Sequence, residues 1–332
     1  MSKNKILKGD CLEKMQSMES NIFTGVLTDP PYGISFMGKE WDHSVPGVPF
    51  WKEILRVCKS GSPMLVFGGT RTHHRLMCNI EDSGWIIKDC LMWLYGSGFP
   101  KSHNIANSID KSNGCSNRGK AIPTASTYQA SDKEEKNKLT SNKVETYKSR
   151  TSESKQWVKY GNGLKPAWEP IILAMKHNDK TYANNAIKHG VAGINIDDCR
   201  IETTDTYCDG HSNDRWPANI ILDEEAGKLL DDQTNETFSR FFYCSKVSDR
   251  NSENSMLGDK HPTQKPLDLV QYLLKLITMP ENTNILDPFA GSGTTGVACI
   301  NANIDSTCIE IDPEHVATMK SRIEWAKIKN HQ

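Results

Sequence analysis

Apolar positions in this chain follow two periods in alternation. Lys5-Ile6-Leu7-Lys8 is a short strand-like run that stops at Gly9-Asp10, and Cys11 to Met18 then carries Leu12, Met15 and Met18 at helical spacing. Gly25-Val26-Leu27-Thr28 is a second strand, halted by the prolines after it. Trp51 to Cys58 puts Ile54, Leu55 and Cys58 on one stripe, and Pro63-Met64-Leu65-Val66-Phe67 reads as a buried strand ending at Gly68-Gly69. Trp85 to Tyr95 is long and strand-like; the next recognisable strand is Pro170-Ile171-Ile172-Leu173-Ala174. After Asp259 the alternation resumes, with a helix over Leu267 to Thr278, a strand Asn284-Ile285-Leu286-Asp287, a helix over Thr294 to Ala302, a strand Ser306 to Glu310 and a helix over Pro313 to Ile328. Such alternation predicts a parallel sheet with helices on both faces.

The interruption between the two α/β stretches has its own character. Residues 111 to 156 are rich in Ser, Asn, Lys, Thr and Glu and poor in large aliphatics, which predicts a mobile insertion with little core. Residues 101 to 165 hold 13 Lys/Arg against 6 Asp/Glu, whereas residues 166 to 256 hold 9 against 16. The basic stretch reads either as a solvated linker or as a loop that meets phosphates on binding. Over all 332 residues, 40 basic and 41 acidic side chains argue against a generally basic nucleic-acid binder but leave room for a local basic groove. No apolar run reaches membrane-spanning length, so no membrane partner is expected. None of the ten cysteines forms a Cys-x-x-Cys pair, which predicts no metal site and fits reduced thiols of a cytoplasmic protein. No Pro-Cys dipeptide occurs, which disfavours chemistry that attacks a ring carbon.

Two short strings carry the candidate chemistry. In Asp287-Pro288-Phe289-Ala290-Gly291-Ser292-Gly293-Thr294-Thr295 a strand runs into a glycine-rich turn and a helix, the way α/β proteins hold nucleotide-like cofactors. No Gly-Lys-Ser/Thr follows, so it is not a phosphate P-loop; Gly291, Gly293 and Gly296 do fall at Gly-x-Gly-x-x-Gly spacing, which taken alone is weak evidence, since many such turns serve packing. Glu310 ends the next strand, where a carboxylate can accept from both ribose hydroxyls, and Asp10 ends a strand expected near an adenine amino group. Each acid also reads as an ordinary strand-end cap. Thr28-Asp29-Pro30-Pro31-Tyr32-Gly33 is the second string. An aromatic amino group is a poor nucleophile because its lone pair is delocalised, and acceptors that bind its hydrogens localise that pair. Asp29 offers a carboxylate, Pro30 a backbone carbonyl, Pro31 stiffness, and Tyr32 a ring that stacks on a base. The blander reading of this string is a rigid turn.

Together these motifs resemble the amino-directed DNA methyltransferases that use S-adenosylmethionine. Their order, with Asp-Pro-Pro-Tyr first and Phe-Ala-Gly-Ser-Gly-Thr-Thr near the C-terminus, resembles the permuted β group. Phe99-Pro100-Lys101-Ser102, Pro166-Ala167-Trp168-Glu169-Pro170, Arg215-Trp216-Pro217-Ala218-Asn219, Arg240-Phe241-Phe242-Tyr243 and His261-Pro262-Thr263-Gln264-Lys265-Pro266 are similar to strings of prophage and phage enzymes of this kind.

The resemblance implies a Rossmann-like class I sheet of order 3-2-1-4-5-7-6 with strand 7 antiparallel. Strand 1 would lie near Ile285, strand 2 near Ile309, strand 3 near Leu7, strand 4 near Leu27 and strand 5 near Val66, with Trp85 to Tyr95 and Trp168 to Ala174 as strands 6 and 7. The implied organisation is a catalytic N-terminal part over 1–100, a basic insertion over 101–165, strand 7 over 166–175, a target-recognition region over 176–256 and a C-terminal cofactor part over 257–332. Asp29, Pro30, Pro31 and Tyr32 would hold the target base. Asp287, Phe289, Ala290, Gly291, Ser292, Gly293 and Thr294 would wrap the cofactor, Glu310 its ribose and Asp10 its adenine, while Thr263 and above all Lys265 would reach its carboxylate. The implied reaction is methylation of N6 of an adenine flipped out of double-stranded DNA, leaving S-adenosylhomocysteine and using no metal. N4 of cytosine is the alternative; an RNA methyltransferase or a non-catalytic DNA-binding relative is more remote. Phe99, Trp168 and Trp216 are candidates for stacking or wedging. A homodimer is compatible with the sequence, and nothing in it identifies a restriction endonuclease partner.

Overall fold

A computed structural model describes residues 3–34, 42–98, 102–115, 148–202, 214–245 and 264–330. The strands are β1 (Asn4–Lys8), β2 (Gly25–Thr28), β3 (Pro63–Phe67), β4 (Ile86–Leu94), β5 (Trp168–Met175), β6 (Ile220–Asp223), β7 (Tyr243–Ser245), β8 (Asn284–Asp287) and β9 (Asp305–Glu310). The helices are α1 (Cys11–Gln16), α2 (Val48–Val57), α3 (His73–Asp82), α4 (Ile105–Ser112), α5 (Ser152–Gln156), α6 (Tyr182–His189), α7 (Glu224–Thr234), α8 (Leu267–Leu276), α9 (Thr294–Asn301) and α10 (Pro313–Lys329).

The strands form one sheet of order β1-β9-β8-β2-β3-β5-β4-β6-β7. Its first seven members reproduce the expected order 3-2-1-4-5-7-6. β5 runs antiparallel to both β3 and β4, and the other pairings are parallel. Two strands were not foreseen. β6 pairs with β4 and β7 with β6, so residues from the stretch 176–256 extend the same sheet. The apolar runs of β6 and β7 are only four and three residues long, too short to stand out from their polar flanks.

The two faces follow from the strand period. Val26, Met64, Val66, Leu286 and Ile309 share one buried cluster with Met15, Trp51, Ile54, Val57, Leu76 and Ile80 of α1, α2 and α3. The alternate residues face the other way, where Cys308 meets Gly296 of α9, and Gly296 in turn meets Ile323 of α10. Each fully buried Leu or Ile contributes about 1.5–3 kcal/mol of transfer free energy, so these two layers fix the position of every strand end between them. Helix starts are set locally. The Asp10 side chain accepts the Glu13 N–H at the start of α1, and Asp312 accepts the N–H groups of Glu314 and His315 at the start of α10.

Residues 95–167 form a separate compact unit. In it the buried Asp110 of α4 accepts the N–H groups of Arg150 and Thr151 and the Thr151 hydroxyl, which fixes the start of α5. The core of the insertion predicted to be mobile, residues 116–147, lies outside the described residues.

Candidate active site

β2 and β8 are adjacent parallel strands, in register at Gly25 with Ile285 and Val26 with Leu286. Their C-terminal ends therefore open side by side, and the two candidate motifs leave from those ends. A buried hydrogen bond joins the motifs: the Thr28 hydroxyl donates to Asp287 Oδ1 at 2.7 Å. The same oxygen accepts the Phe289 N–H at 3.2 Å, which starts the turn. Burial pushes the Asp287 carboxyl up to about 7, with Thr28, Thr295 and the Phe289 N–H opposing and Asp29 adding to the rise.

The glycine turn is held by its neighbours in the fold. Gly291 donates its N–H to Glu310 Oε2 at 2.7 Å, and Asp312 donates to Glu310 Oε1 at 2.8 Å. Gly291 sits at φ 51° with nothing within 4 Å of where a Cβ would stand, whereas a Cβ on Gly293, at φ 82°, would run into Met319. Arg322 of α10, a residue that the motifs did not reveal, donates to the Ser292 carbonyl at 2.8 Å, the Ser292 hydroxyl at 3.0 Å and the Thr294 hydroxyl at 3.2 Å. The Ser292 and Thr294 side chains thus face this buried guanidinium. Ala290 donates its N–H to the Ile309 carbonyl, and Phe289 packs by its ring against Phe50 and Trp51 at 6.1 and 6.3 Å. Gly9 donates to the Glu310 carbonyl at 2.9 Å, which brings Asp10 beside Glu310 at neighbouring strand ends.

At the end of β2 the chain makes a second cluster. Lys265, just before α8, places its ammonium 2.9 Å from Asp29 Oδ2 and 3.2 Å from Glu169 Oε2 at the start of β5. The Tyr32 hydroxyl donates to Glu169 Oε2 at 3.0 Å, and the same ammonium lies 5.2 Å from the Tyr32 ring centre and 5.0 Å from that of Phe67. Asp29 Oδ1 is closed to solvent and has no hydrogen-bond partner among the described residues. Burial pushes the Asp29 carboxyl up, with Lys265 opposing and Glu169 reinforcing the rise. Burial also pushes the Tyr32 phenol well up. At Lys265 burial works against the charge, but Asp29 and Glu169 together outweigh it and keep the ammonium protonated. Beyond Tyr32 the chain is pinned by buried Asp42, which accepts the N–H groups of Gly33 and Ile34 at 2.8 and 3.3 Å.

The structure therefore gathers Asp29, Tyr32 and Lys265 on one side, and Asp287 to Thr294 with Glu310 and Asp10 on the other. Buried Pro30 and half-buried Pro31 continue from Asp29. Thr263 and Phe99 lie outside the described residues. Lys265, expected at a cofactor carboxylate, has the carboxylates of Asp29 and Glu169 as its partners. Trp168 packs edge-on to His73 at 6.0 Å, and Trp216 is 64% exposed with the Arg200 guanidinium 5.1 Å from its ring centre. Glu169, Arg322 and Asp42 had no role in the sequence reading. An acid between Trp168 and Pro170 at the head of an apolar strand, and an arginine inside the Val316-Met319-Ile323 stripe, were the available signals. Among the described residues no group of three or more His, Cys, Asp or Glu side chains is arranged to hold a metal ion, and no helix is long and apolar enough to cross a membrane.

Known proteins resemble this chain over most of its length. The Type II methyltransferase M.HpaI of Haemophilus parainfluenzae is 34% identical over 333 residues, covering 96% of this chain and 74% of the relative. M.HindIII of Haemophilus influenzae, also a Type II methyltransferase, is 24% identical over 90% of this chain and 88% of its own. The solved structure of the PvuII DNA methyltransferase, described as cytosine-N4-specific, shares the fold with a TM-score of 0.54 at 17% identity, over 97% of this chain and 86% of that one. Residues 23–321 match the N6_N4_Mtase family, described as DNA methylase, and the chain belongs to that family.

Proposed function

We propose that this DNA methylase is a site-specific enzyme of the permuted β group that methylates N6 of an adenine flipped out of double-stranded DNA. The observation that carries the reading is the Thr28–Asp287 bond between neighbouring parallel strands, which joins the Asp29–Tyr32 string and the glycine turn at adjacent strand ends. S-adenosylmethionine, when bound, supplies an electrophilic methyl group on a sulfonium and leaves as S-adenosylhomocysteine.

The residues at the turn fit that cofactor. Gly291 leaves open space where any other residue would place a side chain. Glu310 uses one acceptor position on each oxygen for a backbone N–H, and a carboxylate has about four, so two remain for a ribose diol. Asp10 lies close enough in the fold to serve the adenine end.

On the other side, Asp29 Oδ1 is an unpaired acceptor whose desolvation costs about 1–3 kcal/mol until a donor arrives. An exocyclic N–H supplies that donor. The Pro30 carbonyl takes the second hydrogen, and the nitrogen lone pair is then localised for in-line attack. Tyr32 stacks on the base. Once the nitrogen carried the methyl group, its surplus proton would pass to the Asp29 carboxylate already bonded to it, and from there to solvent. The rate gain is chiefly alignment and fixed electrostatics.

Asp at position 29 is the residue that the N6-adenine pattern carries, which supports N6. N4 of cytosine is the second reading, because both amino groups present the same hydrogens and the fold neighbour PvuII methyltransferase is described as cytosine-N4-specific. The test is transfer of labelled methyl to unmethylated duplex DNA followed by nucleoside analysis. Label in N6-methyladenine supports the proposal; label in N4-methylcytosine replaces it with the second reading; label found only in RNA or protein rejects both.

A further inference from the structure

Lys265 and Glu169 come from distant parts of the chain and meet at the clamp. We propose that they are its positioning residues: Lys265 ties down Asp29 Oδ2 and sets a cation beside it, which leaves the partnerless Oδ1 for the target amino group, and Glu169 fixes the Tyr32 ring while balancing the lysine. This rests on the reading of Asp29 and Tyr32 as the base clamp.

The argument begins with charge. The groups that face Asp29 are Lys265, Glu169, Tyr32 and, from β8, Asp287. Without Lys265 the Asp29 carboxyl would share a poorly solvated space with Glu169 and Asp287 and no cation. Such a carboxyl takes up a proton. Protonated, it offers a donor where the reaction needs an acceptor, and the lone pair of the amino nitrogen is no longer localised.

Geometry adds the second half. One oxygen of Glu169 receives both the Lys265 ammonium and the Tyr32 hydroxyl, so the ring that stacks and the carboxylate that accepts are braced through one shared pair. Lys265 also lies over the Tyr32 ring. Tyr32 and Asp29 are three residues apart in an irregular segment, and no backbone ladder fixes their relative orientation. The brace from β5 and from the residue before α8 supplies what a ladder would.

The test uses the full chain. An infrared difference titration of the ligand-free protein follows the Asp29 carboxyl, its band assigned by loss in Asp29→Asn. In Lys265→Met the titration should move up by about one pH unit or more, and the acid limb of single-turnover transfer to duplex DNA should move the same way. S-adenosylhomocysteine affinity by calorimetry should stay within about twofold, because the lysine serves the clamp. Lys265→Arg, which keeps the cation, should restore both pH curves. An unmoved titration overturns the proposal, and so does a roughly tenfold loss of S-adenosylhomocysteine affinity with an unmoved acid limb, which would return Lys265 to the cofactor. Should Lys265→Met not fold, Lys265→Met with Glu169→Gln removes the repulsion between the two acids, and its titration is compared with that of Glu169→Gln alone, the same upward move being expected. Glu169→Gln keeps an acceptor for the Tyr32 hydroxyl and should lose less rate than Glu169→Ala; equal losses overturn the Glu169 half. Wild-type turnover in Asp29→Asn would discard the base-clamp reading itself, while the titration would still judge the ion pair.

Discussion

The turn after β2 and the turn after β8 leave neighbouring strands at the same edge of the sheet, yet they are held in different ways. The β8 turn is fixed largely by short-range means: backbone N–H groups on Glu310 and Asp287, two glycines with positive φ, and Arg322 from the helix packed beneath it. The β2 turn is fixed by charged side chains whose partners lie about 140 and 240 residues further along the chain. A site that binds the same cofactor every cycle can be a rigid cradle built from backbone. A site that admits a large, swung-out base and then grips it uses side chains, and those must be poised electrically as well as sterically.

The sharpest way to break this comparison is to remove the acceptor. Asp29→Ala should lower transfer by roughly 10²–10³-fold or more while S-adenosylhomocysteine binding stays close to wild type. Retained turnover would mean that the two turns do not divide the work as described.

Next in size is the bond that joins the turns. Thr28→Val removes the hydroxyl that supports Asp287. Asp287 has a raised folded-state value of about 7, so the folded protein holds a proton that the unfolded chain has released between roughly pH 4 and 7, and stability falls as pH rises through that window. Losing a donor to the ionised carboxylate should therefore cost about 1.5–3 kcal/mol near pH 8 and less near pH 5. Equal losses of thermal stability at the two pH values would show that Asp287 does not change protonation state between them.

Glu310→Ala tests the cradle. It should weaken cofactor binding by about 1–3 kcal/mol, because it strips an acceptor from Gly291 and from Asp312 as well as from the ribose. Calorimetry that finds unchanged affinity removes Glu310 from the site.

The smallest effect on stability is expected at Gly291→Ala. The residue has room for a methyl group but a positive φ, so folding should lose only about 1 kcal/mol while cofactor affinity falls more. A variant that binds as well as wild type would show that the open space beside Gly291 is not where the cofactor lies.

Legibility in the sequence follows the same division. β2, β3 and β8 were read to the residue, because each is a compact apolar run closed by proline, glycine or a strand-end acid. Glu310 could be placed beside the glycine turn because a parallel neighbour strand puts it there. Glu169 could not be placed, since its partners Lys265 and Tyr32 are set by three-dimensional packing with no period to betray it. α3 was missed because His73, His74 and Arg75 dilute its apolar stripe, and α7 because only Gly227 of its residues is buried. β6 and β7 were too short to announce themselves, although Tyr243 ends the Arg240-Phe241-Phe242-Tyr243 string that carried part of the resemblance.

The centre of the sheet is also the last part of it to be made. β8 and β9 stand between β1 and β2, so β1 lacks its partner β9, and β2 one of its two neighbours, until residues 284–310 have been made. At translation speeds of about 5–20 residues per second, β2 waits on the order of 10–50 s for the neighbour that completes its far side. Lys265, which braces the turn after β2, is itself made only about 20 residues before β8, so both turns acquire their supports within seconds of each other.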